Sequence, residues 1–189
     1  MKNKFILFLL PILAAAYFNL LPACSKHTAP PDPLPPATQE GKNTFGCYID
    51  GKPWVAWIDP NILDPSLRKI DAAYDEPGVG LYDNYSLSLS ARMVNATLYE
   101  YLKIGFQPLH KEGDFNLSNL EYPTIILRLD DPISVYEMDT TIAQTFKVTK
   151  LDTIKNICSG LFSFTLVSKD GIDTVKISDG RFDIKYQVW

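Results

Sequence analysis

Histidine and cysteine are both scarce in this sequence, and their scarcity removes several kinds of catalytic and metal site. The 189-residue chain has two histidines, His27 and His110, and three cysteines. A Ser/His/Asp triad would have to use His110, and the Gly-x-Ser-x-Gly turn that presents the serine of many hydrolases does not occur. Cys47 and Cys158 lie far apart without histidines beside them, which argues against structural zinc. The sequence therefore predicts no catalytic residue, no metal and no cofactor.

Basic residues are also in the minority. The chain has 18 lysines and arginines against 22 aspartates and glutamates, which gives a net charge of −4. Proteins that bind nucleic acid usually carry a basic patch or stripe, because phosphate contacts supply much of their affinity. The sequence shows no basic run of this kind. It therefore predicts that nucleic acid is not a partner.

Long hydrophobic runs are limited to the amino terminus. Lys2 and Lys4 precede an apolar run over residues 5–16, which has the length of a secretory signal and is short for a membrane span. The segment ends in Leu21-Pro22-Ala23-Cys24, which resembles the lipobox of bacterial lipoproteins. In such proteins the cysteine thiol takes a diacylglyceryl group, and cleavage frees its amine for a third acyl chain. The sequence thus predicts a signal peptide over residues 1–23. It also predicts lipidation at Cys24, with the membrane as a partner through this anchor. The alternative is a plain signal peptide or membrane anchor with an incidental cysteine.

The lipidated cysteine and a proline-rich tether occupy residues 24–43. Five prolines fall between positions 30 and 36, and such a segment favours extended polyproline II and cannot build a core. Ser25 follows the cysteine, which resembles the pattern of lipoproteins that travel to the outer membrane. The tether begins without the acidic residues of some surface-export signals. The predicted location is the periplasmic leaflet of the outer membrane, with surface exposure as the alternative.

Residues 44–189 carry the pattern of one β-rich domain. Apolar residues alternate with serine or charged residues over 85–93, 162–166 and 182–188, as in strands with one wet face. No long amphipathic helix follows the signal peptide. The sequence predicts an all-β fold, an antiparallel β-sandwich or a barrel-like domain. Its predicted core includes Phe45, Ile49, Leu87, Leu89, Phe162, Phe164, Phe182 and Ile184.

Three Asp-Gly pairs separate predicted strands. They are Asp50-Gly51, Asp170-Gly171 and Asp179-Gly180. Asp-Gly between alternating runs is a strong signal for a tight hairpin, because both residues tolerate a positive φ. We therefore expect a hairpin at each pair.

The three cysteines also predict a covalent link. Lipidation of Cys24 would leave two cysteines in an oxidising compartment. Cys47 shares strand parity with Phe45, and Cys158 shares parity with Phe162, so both thiols are expected to point into the core. The sequence predicts a Cys47–Cys158 disulfide, with two unpaired buried thiols as the alternative.

Two tryptophans mark a candidate contact surface. Trp54 and Trp57 have opposite strand parity, so a regular strand cannot place them on one face. We expect one in the core and the other exposed or at the rim of the sheet. An exposed aromatic residue could stack on a sugar or contact an envelope protein, whereas the plainer interpretation is a core residue with an incidental rim aromatic.

Three patches together resemble a family of small lipoproteins of Gram-negative bacteria whose domain is classed as of unknown function. The patches span residues 45–54, 113–117 and 160–183, and the resemblance covers nearly all of the mature domain. It implies an extracytoplasmic β-domain and no activity. The leading hypothesis is thus a cell-envelope lipoprotein with a non-catalytic binding or structural domain. The alternative is a glycan or envelope hydrolase that uses carboxylates alone.

Overall fold

The computed structural model of the protein describes residues 33–77, 84–130, 133–142 and 144–188. The predicted signal peptide at residues 1–23, the predicted lipidation site Cys24 and the tether up to residue 32 lie outside these ranges. Thirteen strands and one short 3-10 helix, Leu117–Asn119, occupy the described chain. The strands are β1 (Thr44–Ile49), β2 (Lys52–Val55), β3 (Trp57–Ile58), β4 (Ile70–Asp75), β5 (Ser86–Val94), β6 (Tyr99–Gln107), β7 (Gly113–Asn116), β8 (Glu121–Asp130), β9 (Ile133–Met138), β10 (Thr145–Asp152), β11 (Ile157–Ser168), β12 (Thr174–Lys185) and β13 (Gln187–Val188).

The fold class is all-β, as the alternating pattern predicts. Hydrogen-bonded neighbours follow the order β13, β4, β5, β6, β8, β9, β11, β12, β1, β2, and β10 lies between β11 and β7. The described pairings are antiparallel except for two short parallel ones, β3 with β5 and β13 with β4. Within the described ranges, helices with the length and hydropathy of a membrane span are absent.

Two segments pass from one part of the sheet to another and curl it around its core. β2 pairs with β1, whereas β3, which follows after the single residue Ala56, pairs with β5. Likewise β12 pairs with β1 and β11, and its continuation β13 pairs with β4. These two passages produce the parallel pairings, because a strand that crosses to a new neighbour is not joined to it by a hairpin. The sheet therefore encloses one core in the manner of a sandwich or barrel.

All eight residues predicted to form the core are buried. Their side chains follow the two-residue period of strands whose inner face packs on a core. Aromatic rings fill its centre, where the ring centroids of Phe45 and Phe162 lie 5.1 Å apart, as do those of Phe162 and Phe164. Such pairs contribute about 0.5–1.5 kcal/mol beyond the area they bury. The eight confirmed core residues are Phe45, Ile49, Leu87, Leu89, Phe162, Phe164, Phe182 and Ile184.

Two of the three predicted Asp-Gly hairpins are confirmed. Asp50 and Gly51 join β1 to β2 with φ angles of 47° and 77°, the paired positive angles of a type I′ turn. Asp170-Gly171 lies between β11 and β12, where the φ of Gly171 is 74° and its N–H donates to the Ser168 carbonyl. At both places glycine supplies a backbone conformation that most residues avoid.

The predicted hairpin at Asp179-Gly180 is wrong. Both residues lie inside β12, and the backbone on either side of them pairs with the same two neighbours, β1 and β11. Asp179 has a φ of 50°, and both ladders shift register here, which marks a β-bulge. A Cβ atom at Gly180 would lie 2.3 Å from the Phe162 ring. The Asp-Gly pair therefore forms a bulge here, because a preference for a positive φ suits a bulge as well as a turn. The absence of a Cβ at Gly180 allows the Phe162 ring to pack closely.

The predicted Cys47–Cys158 disulfide is also wrong. Both cysteines are free and fully buried. Cys47 lies in β1 and Cys158 lies in β11, with β12 between them. Two inter-strand spacings amount to roughly 9–10 Å at about 4.7–4.9 Å each, beyond the roughly 7 Å between Cα atoms that a disulfide can bridge. The prediction that both cysteine side chains point into the core is confirmed. Each thiol packs there as a small apolar group.

Residues 34–43 of the predicted tether, which we call the strap, are bound to the domain and differ in this respect from a free spacer. Leu34 is buried, and Pro35 lies against Gly46 of β1. The strap also donates four hydrogen bonds to the carboxylate of Asp183 in β12. The strap is therefore a part of the folded domain.

Candidate functional site

The two tryptophans lie in different environments. Trp54 is only 3% exposed, and its indole N–H donates to a carboxylate oxygen of Glu100 at 2.9 Å. Its ring meets the edge of Phe45 at a centroid distance of 6.0 Å. Trp57 is half-buried at the rim of the sheet. The burial of Trp54 removes it from the predicted contact surface, and Trp57 remains as the candidate contact residue.

Trp57 lines an open cleft with a volume of about 570 Å³. Three parts of the chain form the cleft: the strap and the start of β1, the β2–β3 segment, and the loop that leads to β4. Its walls combine apolar side chains with two carboxylates and one lysine. They comprise Pro35, Thr44, Phe45, Val55, Ala56, Trp57, Ile58, Asp59, Pro60, Ile62, Asp64, Leu67 and Lys69. A mostly apolar cleft with a few polar groups has the composition of a small-molecule or glycan site.

Local hydrogen bonds fix the two carboxylates of the cleft. Asp59 accepts from the backbone N–H of Asn61 at 2.9 Å and from its side-chain amide at 2.7 Å. Asp64 accepts from the hydroxyl of Ser66 at 2.6 Å and from its backbone N–H at 2.9 Å. The hydrogen bonds from Ser66 lower the pKa of Asp64 below its ordinary value. Asp64 is thus an ionised acceptor at neutral pH, suited to receive hydroxyl groups.

A buried carboxylate holds the strap that forms one wall of the cleft. Asp183 is 1% exposed and accepts from the Thr38 hydroxyl at 2.6 Å and from the Ser159 hydroxyl at 2.8 Å. The backbone N–H groups of Glu40 and Gly41 donate to it at 3.0 and 2.7 Å. Burial alone would raise the pKa of this carboxyl, but the hydrogen bonds lower it to about 2. Asp183 therefore stays ionised and fixes the strap beside the cleft.

The hydrolase alternative requires a buried carboxyl with a raised pKa beside a second carboxylate. Burial raises the pKa of Glu100, but this residue bonds to Trp54 in the core and does not line the Trp57 cleft. Asp64, which does line the cleft, has a lowered pKa. The described residues of this cleft therefore do not form the acid–base pair that carboxylate hydrolysis needs.

Metal-ligating side chains do not converge anywhere in the described part of the chain, where no three His, Cys, Asp or Glu residues are close enough to share an ion. His110 is exposed and lies edge-on to the Tyr85 ring, with 5.3 Å between the ring centroids. This position is that of a surface loop residue.

Sequence reasoning identifies Trp57 but not the rest of its cleft. The acidic segment after Asp59 carries no sequence motif of a binding site, and residues 34–43 are predicted to be part of a tether. Both segments supply walls of the cleft. The Asp-x-Ser order of Asp64 and Ser66 favours a local turn, but no local pattern indicates that this turn faces Pro35.

Comparison of the chain with models of known protein families, with curated proteins and with solved structures returns no match. The resemblance to a family of small lipoproteins therefore stays a prediction from three sequence patches.

Proposed function

We propose that this chain is a lipid-anchored protein of the bacterial outer membrane whose β-domain binds glycan, without catalysis, in the Trp57 cleft. Cys24 carries the lipid, residues 25–33 connect it to the domain, and the domain lies at the periplasmic leaflet. The half-buried indole of Trp57 in a cleft with fixed carboxylates is the observation that carries the proposal.

The chemistry of the cleft suits a sugar. The C–H face of a pyranose is apolar and packs on an aromatic ring, and Trp57 offers such a ring together with Ile62 and Leu67. Sugar hydroxyls donate hydrogen bonds, and the oriented carboxylates of Asp59 and Asp64 accept them. Because local bonds already fix these groups, little side-chain entropy is lost when a ligand binds.

The binding proposal is tested by calorimetry on the full mature chain in detergent. Chito-hexasaccharide and hyaluronan hexasaccharide serve as a neutral and an acidic glycan probe. We expect at least one probe to bind, and Trp57→Ala to weaken that binding about tenfold or more, because a buried aromatic contact is lost. Trp57→Phe keeps a ring and should retain most of the affinity.

Tyr99→Ala is the matched control, because Tyr99 is an exposed aromatic residue outside the cleft. Failure of both probes to bind, or equal losses in Trp57→Ala and Tyr99→Ala, would contradict glycan binding at this cleft.

The anchoring proposal has an independent test. Intact mass spectrometry of the protein isolated from its native membrane should show a chain that begins at Cys24 and carries acyl mass. Cys24→Ala should leave the membrane fraction, since two or three acyl chains give lasting attachment where one gives only marginal binding. A different mature terminus, or membrane retention of Cys24→Ala, would overturn the lipoprotein assignment. Digestion of the domain by protease added to intact cells would overturn the periplasmic location.

A further inference from the structure

A row of residues that are small except for Gln187 at its end crosses the outer face of the sheet. The register pairs Gln187 with Ala73, Ala73 with Ser88, Ser88 with Gly105, and Gly105 with Thr124. The row therefore crosses β13, β4, β5, β6 and β8 in turn. Its length is four inter-strand spacings, or roughly 19 Å at about 4.8 Å each.

Two depressions lie along this row and meet at Ser88. One has a volume of about 460 Å³ and includes Ala73, Ser90 and Gln187 in its walls. The other has a volume of about 170 Å³ and lies over Gly105 and Thr124. Ser88 lines both depressions, so together they form one shallow channel, which we call the Ser88 groove.

Neither side-chain packing nor a left-handed φ requires the glycine in the floor of the groove. Gly105 lies in the interior of β6 beside a register shift, and its φ is outside the left-handed region. A Cβ atom there would lie 3.6 Å from the Leu87 carbonyl oxygen and 3.8 Å from the Cβ of Thr124, which are ordinary contacts. Glycine inside a strand marks a bulge or a place where a ligand or another backbone approaches closely, and Gly105, beside the register shift, leaves the floor of the groove without a side chain.

A buried polar group in the groove has no partner within the described part of the protein. Gln107 is 4% exposed and lines the depression over Gly105, and its carbonyl oxygen Oε1 accepts no hydrogen bond from the described residues. An unsatisfied buried acceptor costs about 1–3 kcal/mol. The atom is closed to solvent in the free protein, so a ligand hydroxyl or amide N–H satisfies it once the Gln107 side chain turns toward the groove.

The rim of the groove is cationic although the chain is acidic. Lys103 lines the smaller depression. The larger depression is lined by Arg68, Lys69 and Lys185. Among the described residues of these walls, Asp71 is the one carboxylate, and it is ion-paired to Arg92 and, at 4.0 Å, to Arg68. Lys69, Lys103 and Lys185 are then the rim cations without an ion pair among the described residues. The rim therefore offers positive charge to a ligand along the length of the groove.

We propose that the Ser88 groove binds an acidic segment of a linear polysaccharide. The hydroxyl-bearing floor and the Gln107 acceptor suit sugar hydroxyl and acetamido groups, and the lysines suit uronic acid carboxylates. Lys69 lines both this groove and the Trp57 cleft, so one polymer chain extends across both. This inference rests on the proposed function, because it specifies the glycan that binds at the Trp57 cleft.

The test uses the same full chain and the same two hexasaccharides. Wild-type protein should bind hyaluronan hexasaccharide about tenfold more tightly than chito-hexasaccharide, because only the former carries carboxylates. Lys103→Gln should reduce this preference, since one rim cation is lost while Lys69 and Lys185 remain. Gly105→Thr fills the floor and should weaken hyaluronan binding about tenfold, while its melting temperature stays at or above that of the wild type, since threonine favours strands.

Lys176→Gln is the control for charge, because Lys176 is an exposed strand lysine on β12 that lines neither the cleft nor the groove. It should leave both affinities unchanged.

If Trp57→Ala weakens binding while Lys103→Gln and Gly105→Thr do not, the groove inference is overturned and the proposed function stands. If neither probe binds, the proposed function itself fails. Equal affinity for polyglutamate would overturn the assignment of the groove to a glycan.

Discussion

The hydroxyl of Thr38 donates a hydrogen bond of 2.6 Å to the carboxylate of Asp183, a residue 145 positions later in the chain. This contact joins the last part of the predicted tether to a strand in the middle of the sheet. Because Pro35 and Trp57 line the same cleft, the contact also holds the strap in place as one wall of that cleft.

Asp183→Asn should release the strap. An amide has one oxygen where the carboxylate has two, and its NH₂ group faces N–H donors, so we expect a loss of about 2–3 kcal/mol in unfolding free energy. Cleavage by trypsin after Lys42 should become faster, and urea unfolding gives the change in free energy. Asp114→Asn is the control, since Asp114 is an exposed carboxylate whose ion pair with Lys147 spans 3.5 Å. Unchanged cleavage at Lys42 in Asp183→Asn would contradict the role of Asp183.

The same carboxyl should make stability depend on acid pH. The pKa of Asp183 is about 2 in the folded chain and has an ordinary value of 3.8. A lowered pKa stabilises the fold above pH 3.8, and this stabilisation is lost as the pH falls from there through 2. It amounts to about 2 kcal/mol at neutral pH. Urea unfolding between pH 7 and 2 should therefore show a smaller acid-induced loss in Asp183→Asn than in the wild type, and equal losses would argue against it.

The parts of the fold that the sequence predicted are those that depend on local patterns. The inward parity of Leu87, Leu89, Phe162 and Phe164 follows from the period of two, and the Asp50-Gly51 turn follows from the φ preferences of its two residues. Each of these inferences needs only residues that are close together in the sequence. Trp54 and Trp57 do lie in different environments, but they belong to β2 and β3, which pair with different strands, so parity within one regular strand is not the cause.

The parts that the sequence did not predict depend on which distant strands become neighbours. Asp179-Gly180 has the same local preference in a bulge as in a hairpin, and only the continued pairing with β1 and β11 decides between them. Two inward cysteines do not form a disulfide when a strand separates them. Nothing near Asp183 indicates that its hydrogen-bond donors come from residues 38–42.

The close packing of the Phe162 ring on Gly180 predicts a loss of stability when a side chain is added at Gly180. Gly180→Ala should destabilise the protein by about 1–3 kcal/mol, because the new Cβ would lie 2.3 Å from the Phe162 ring and the ring has to move. The loss should become smaller in a Phe162→Leu background, where the ring is absent, and a double-mutant cycle of unfolding free energies measures this coupling. A loss that is identical in both backgrounds would show that the backbone, and not the ring, requires glycine.

The free cysteines predict the pattern of thiol labelling. Burial raises the pKa of Cys47, and burial raises the pKa of Cys158 to about 12, so the reactive thiolate is almost absent from the folded protein at pH 8. We expect iodoacetamide to label neither residue in the native state and both residues in urea without reductant, as read by peptide mapping. If labelling in urea appears only after reduction, the two cysteines form a disulfide in the native protein.

The contact between Trp54 and Glu100 predicts a stability effect of the opposite sign to that of Asp183. Burial raises the pKa of Glu100 above its ordinary value of 4.5, and the hydrogen bond from the Trp54 indole only partly opposes this. A carboxyl with a raised pKa destabilises the fold once the pH rises above the ordinary value, because the unfolded chain ionises there without the cost of burial. Glu100→Gln stays neutral and keeps an oxygen for the indole N–H, and it gives up only the long contact of 3.5 Å from the Asp130 N–H to the other carboxylate oxygen. Its unfolding free energy should therefore exceed that of the wild type at pH 7, and the difference should vanish as the pH falls below 4.5.

The control for this prediction is Glu137→Gln, because Glu137 is an exposed glutamate on β9. It should change the unfolding free energy little at either pH. Urea unfolding of both variants and the wild type at pH 7 and pH 4 gives the comparison. A loss of more than about 1 kcal/mol in Glu100→Gln at pH 7 would show that the ionised carboxylate strengthens the bond from Trp54 by more than its burial costs. The hydrogen bond from the neutral Trp54 indole to the ionised Glu100 carboxylate would then stabilise the fold, and the pKa of Glu100 would not be raised.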